Sequence, residues 1–188
     1  MNNYEYIISC LPVLDAGPVS DVGAVVDSIR SQCSKADNVL IDTLLDSFNP
    51  DRLNADFYKN ALESPNGFLR EYLLWDLRVR NTKAEYLNRS LGRPEEQDVV
   101  DLPGGSDYDE KPSVCEILEQ SDILQREKGL DSLMWDKAQE LISLHLFDMD
   151  VILSFIARLM IADRWNKLDP KTGRELFHTL VNEIRKTR

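Results

Sequence analysis

Histidine supplies most general bases and many metal ligands near neutral pH, and this chain has two, His145 and His178. They stand 33 residues apart, and neither is expected to share a metal-ligand frame with a Cys, Asp or Glu one helical turn away. His145, between Leu144 and Leu146, reads as a partly buried helix residue. Cys10, Cys33 and Cys115 are far apart and show no paired spacing for a metal. Gly104-Gly105 has no Lys-Ser or Lys-Thr after it and joins no strand to a helix, so it is not a phosphate-binding loop. Asp148-Met149-Asp150 lacks the later oxygen ligands and the glycine of a calcium loop. No G-x-S-x-G elbow is present, and Glu95-Glu96 falls where nothing would desolvate it for acid–base work. The expectation is a chain with no catalytic residue, no metal and no cofactor, for which binding is the default.

Two segments combine types that favour binding. Trp75, Asp76, Arg78, Arg80 and Asn81 form one; Asp163, Arg164, Trp165 and Asn166 form the other. In each, an acid, an arginine, a tryptophan and an asparagine crowd together at an apolar helical segment. Such groups either satisfy helix ends and fill a core, or line a protein-binding surface, since Trp and Arg are favoured at interface hot spots.

The elements that must position them are helical. Residues 4–14 are apolar and β-prone up to Pro12; they predict a short strand or an extended arm, and the arm is favoured because no second strand pairs with it. From Ser20, Val22, Val25, Val26 and Ile29 recur at helical spacing. Ser34 with Asp37 predicts a capped helix start, and Asn49-Pro50 its end. A shorter helix follows over 54–63, then the longest signal, over 68–91, closed by Gly92 and Pro94. Residues 93–112 hold three prolines and seven acids against two bases, which predicts an acidic flexible linker. Beyond it, Ser113 to Glu116 reads as a capping box. Helices are predicted over 133–146 and 148–168, and a last one follows Asp169-Pro170 with a basic end. The fold class is all-α: about seven helices in two clusters, with a short extended or β N-terminal arm. Its parts are an N-terminal lobe over 1–92, the linker over 93–112 and a C-terminal lobe over 113–188, two lobes able to pack as one domain.

Of the 188 residues 43% are apolar, enough for a real core. A net charge of −11 repels phosphates and argues against general nucleic-acid binding. The N-terminus lacks a signal-peptide pattern, and the most apolar stretch, 151–162, is interrupted by Arg158 and shorter than the ~20 residues of a membrane span. A cytoplasmic protein that meets a membrane only through partners is expected.

Asp163-Arg-Trp-Asn166-Lys-Leu resembles the acid–x–x–Asn signature, followed by a basic Leu-rich stretch, of the C/d-type subunits of V-type and archaeal-type (V/A) rotary ATPases. The stretch from Phe68 to Asn81, continuing to Gly92, resembles it less closely, because Arg78 stands where the acid would be and Asp76 comes two residues early. The chain is also similar to a small bacterial family encoded among V/A-type ATPase genes. That likeness runs through Tyr4 to Pro12, Trp75 to Gly92, and Phe147 to Trp165. The resemblance implies a non-catalytic central-stalk subunit in proton or sodium transport. Its partners would be the central shaft and the rotor ring, and its place the inner face of the cell membrane. An assembly factor for the same machine, or a small helical enzyme using Asp163 and Arg164, are the alternatives.

Overall fold

The computed structural model describes residues 4–14 and 21–167. Among the described residues there are eight α-helices, one 3-10 turn and no strand, so the all-α expectation holds. They are α1 (Tyr4–Ser9), α2 (Val22–Gln32), α3 (Lys35–Asp46), α4 (Ala55–Leu62), α5 (Gly67–Ser90), α6 (Lys111–Leu118), α7 (Ile123–Glu140) and α8 (Met149–Lys167). The last predicted helix, after Asp169-Pro170, lies outside the described residues.

Side-chain caps set most of the starts. Asp21, Asn54, Asn66 and Asp122 each accept a hydrogen bond from a backbone N–H in the first turn of the following helix. Ser34 and Asp37 form the expected capping box, in which Ser34 Oγ accepts from the Asp37 amide at 3.2 Å and Asp37 Oδ2 from the Ser34 amide at 3.0 Å. At the end of α5, Gly92 takes the left-handed turn (φ 65°), and the Arg93 amide reaches back to the Asn88 carbonyl at 2.8 Å.

Three expectations need correction. The N-terminal arm is neither a strand nor extended over its first residues: Tyr4–Ser9 is a short helix whose Ile7 is buried. A lone strand would leave its backbone groups unpaired, whereas a helix pairs its own. Tyr4 also fastens this helix to α3, donating to Asp37 Oδ1 at 3.0 Å. Second, α6 starts at Lys111 rather than Ser113, because Pro112 suits a first turn, and no side chain caps it. Third, α7 begins at Ile123 under the Asp122 cap and ends at Glu140, ahead of the predicted 133–146. Its buried stripe, Leu130, Met134 and Ala138, starts late in the helix and hides the true beginning.

The two clusters share one buried core. Its axis is α8, where Ile152, Leu153, Ser154, Phe155, Ile156, Ala157 and Leu159 are all buried. A helix apolar on all sides belongs inside a protein. It packs against α1, α2, α3, α5 and α7, and Ser154 donates to the Ala138 carbonyl at 2.7 Å, drawing α7 close. Among the described residues no helix is long and apolar enough to cross a membrane.

The approach of α6 to α7 depends on Gly129, where an added Cβ would lie 2.6 Å from Ile117 Cγ2. That γ-carbon is on a β-branched side chain with one strongly preferred rotamer in a helix, so it yields only at a cost. Gly129→Ala gains about 1 kcal/mol of helix propensity and loses about 1–3 kcal/mol to overpacking. A lowered melting temperature is expected. Combined with Ile117→Ala, it should cost less than the sum of the two single changes, a coupling readable in a double-mutant cycle of urea unfolding curves.

Candidate interaction surfaces

Five of the nine residues singled out above lie on α5, and three of them are buried: Trp75 (3% exposed), Asp76 and Asn81 (2% exposed). They do not face outward toward a partner. Residues 93–110, read from composition as a flexible linker, lie along α5 as a strap, and the polar side chains of that helix hold it. Asn81 Nδ2 donates to the carbonyls of Val100 (3.0 Å) and Gly105 (3.1 Å), while its Oδ1 accepts from the Val100 amide at 3.0 Å. A single amide side chain thus pairs three backbone groups, as a neighbouring strand would. Farther along, Asn88 Nδ2 donates to Gln97 O (2.5 Å), Arg78 Nε to Gly104 O (2.8 Å), and the Thr82 hydroxyl bonds the Tyr108 hydroxyl at 2.8 Å. The Tyr108 ring meets Trp75 edge-on at 5.6 Å and lies under the Arg78 guanidinium at 5.3 Å. Close approach requires a glycine at position 105, since a Cβ there would stand 3.0 Å from Leu77 Cδ2 and 3.1 Å from Leu102 O.

The remaining α5 pair serves α4. Tyr58 donates to Asp76 Oδ2 at 2.6 Å, and Arg80 Nε donates to the same oxygen at 2.8 Å. Burial and the Asp76 carboxylate push the Tyr58 hydroxyl well above its ordinary range, so it stays protonated as the donor.

On α8, Arg164 and Asn166 are exposed and Asp163 and Trp165 half-buried. Arg164 Nη1 donates to both carboxylate oxygens of Asp131 at 3.0 Å and Nη2 to Glu127 at 2.7 Å. Trp165 Nε1 donates to Asp131 Oδ2 at 2.8 Å, and Asp163 pairs with Lys167 at 2.5 Å. Burial raises the Asp131 carboxyl above its ordinary value despite Arg164. Burial would raise Glu127 too, but the hydrogen bonds from Lys83 and Arg164 bring it below. The fold also joins the two segments, because Asp76, Arg80 and Arg164 line one cavity of about 90 Å³ together with Asp131. Two guanidiniums there face two carboxylates. Among the described residues no group of three or more His, Cys, Asp or Glu is placed to hold a metal ion.

Sequence reasoning missed a different feature. Between α7 and α8 the chain makes an apolar tip, with Leu144 95% exposed, Leu146 74% and Phe147 56%. His145 is not on a helix, and its i+3 neighbour is an acid that it contacts: Nδ1 lies 2.6 Å from Asp148 Oδ2 and 3.8 Å from Asp150. Asp150 in turn accepts from Asn66 Nδ2 at 2.5 Å, which ties the tip to the start of α5. The only sequence signal was an apolar run over 141–147 without helical periodicity, ending in Asp-Met-Asp. Among the larger recesses, two are lined by the same helices. One, of about 440 Å³, runs between α7 and α8 and is floored by Trp135 and Trp165; the other, apolar and about 430 Å³, lies between α4, α5 and the strap.

Asn81→Ala leaves one buried and two half-buried backbone groups without their side-chain partner, which should cost about 2–4 kcal/mol. Protease cleavage within residues 93–110 should accelerate accordingly, and Asn81→Asp should not rescue it, because an ionised carboxylate cannot donate to two carbonyls. The hydrogen bond to Asp148 raises the His145 imidazole above its ordinary 6.5. A raised folded-state pKa means that this contact contributes fully below about pH 6.5 and is lost as pH rises through the raised value. His145 ring proton shifts should therefore titrate above 6.5, and Asp148→Asn should bring the midpoint back down.

Residues 101–188 match the model of a family described as a protein of unknown function (DUF2764), a match over just under half of the chain. The end of the strap, α6, α7, the tip and α8 fall within it, whereas α5 does not. No curated protein and no solved structure matches this chain.

Proposed function

We propose that this chain is a non-catalytic central-stalk subunit of a V/A-type rotary ATPase, a counterpart of the C/d-type subunits that link the shaft to the membrane rotor ring. The observation that carries the reading is the convergence of the segments that resemble the ATPase-associated family. Those segments supply α1, α5 from Trp75 onward, and α8, and α8 packs on both α1 and α5. The likeness therefore runs through the helices that make the body stiff, as suits a part that transmits torque through packed side chains and does not touch nucleotide. Such a subunit would sit at the inner face of the cell membrane and be held there by its partners.

The assembly-factor alternative drew its support from a free acidic tether, and the strap on α5 withdraws that support. The enzyme alternative placed its chemistry on Asp163 and Arg164, whose partners differ: Lys167 for one, Asp131 and Glu127 for the other.

Purification of the intact ATPase from native membranes in mild detergent tests the proposal. Recovery of this chain at a fixed ratio to the other stalk subunits is expected. A complex that retains those subunits and lacks this chain would sink the idea.

A further inference from the structure

We infer that the tip formed by Leu144, Leu146 and Phe147 is the anchor by which this chain docks into a basic-rimmed apolar cleft of a neighbouring ATPase component. The inference rests on the stalk reading above. Three large apolar side chains within four residues, each more than half exposed, exceed the scattered exposure of an ordinary surface. Their support is rigid. His145 is fastened to Asp148, Asp150 to the cap of α5, and the Val151 amide donates to Asp148 Oδ1 at 3.3 Å at the start of α8. A tip already held in one shape loses little entropy on binding.

Charge selects the occupant. At the base of the tip two carboxylates share one imidazole, so the rim stays negative even with His145 protonated. The whole chain carries −11. A cleft with a positive rim complements that field. A second copy of this chain would bring like charges together. An anionic bilayer would repel the same acidic base. The tip fits the role of a hot spot within a wider contact.

The test uses the full chain in cells whose own copy is deleted, with the ATPase purified from their membranes. Leu144→Glu with Leu146→Glu should lower recovery of the chain with the complex by roughly tenfold or more, at an unchanged melting temperature. Leu144→Met with Leu146→Met should retain it. Ile123→Glu with Leu124→Glu, an exposed apolar pair at the far end of α7, should also retain it. Raised salt should weaken wild-type recovery.

Wild-type recovery by the Glu pair at 144 and 146 overturns the inference and leaves the stalk reading standing. Absence of the wild-type chain from the complex overturns both. A wild-type dimer in sedimentation that this Glu pair dissociates would assign the tip to self-association instead. Wild-type binding to vesicles of phosphatidylcholine and phosphatidylglycerol, lost in the same variant, would assign it to lipid.

Discussion

Nearly every side chain from Ile152 to Leu159 is removed from water, and the other helices are arranged to accomplish this. Apolar burial is favourable by roughly 25 cal/mol per Å², and a helix without a polar face gains it only when neighbours cover all its sides. That requirement explains why α1, α2 and α3 from one end of the sequence and α7 from the other meet on α8. It also explains how two clusters separated by a proline-rich acidic segment come to share a single core. The sole hydroxyl in the innermost stretch, on Ser154, is satisfied by the Ala138 carbonyl, so close packing carries no polar penalty there.

A second constraint is solved by polar chemistry. The strap over 93–110 has too little regular structure to pair its own backbone, and α5 supplies the missing partners from Arg78, Asn81 and Asn88. This inverts the usual pattern on the second half of α5. Leu87 and Leu91 are exposed, while Asn81 and Asn88 are buried. Three of the residues that resembled a protein-binding surface, Trp75, Arg78 and Asn81, bind this chain's own strap. Trp75 belongs to the same seam, its ring meeting Tyr108 edge-on and the Lys137 ammonium at 5.2 Å.

Away from the strap, the apolar side chains left in solvent between α7 and α8 are those of Leu144, Leu146 and Phe147. The tip is the short connection that leads straight into α8, the helix that organises the core and packs on α1, α3 and α5. A stiff body with a hydrophobic point of attachment is what a mechanical connector needs, and this is the sense in which the fold supports the stalk reading.

Much of the secondary structure was legible in the residues themselves. Ser34 with Asp37, Asn54, Asp148 and Gly92 mark helix ends by local hydrogen bonding, and local chemistry needs no knowledge of the fold. The all-α class followed from apolar spacing. The N-terminal helix, the start of α7, the binding of the strap and the exposure of Leu144, Leu146 and Phe147 did not. Composition cannot distinguish an acidic segment that hangs free from one clasped by an asparagine 19 residues earlier in the chain. Nor can it show that an apolar run ends in solvent. Both depend on which backbone groups and side-chain faces remain uncovered after α8 has been enclosed, and only the tertiary structure decides that.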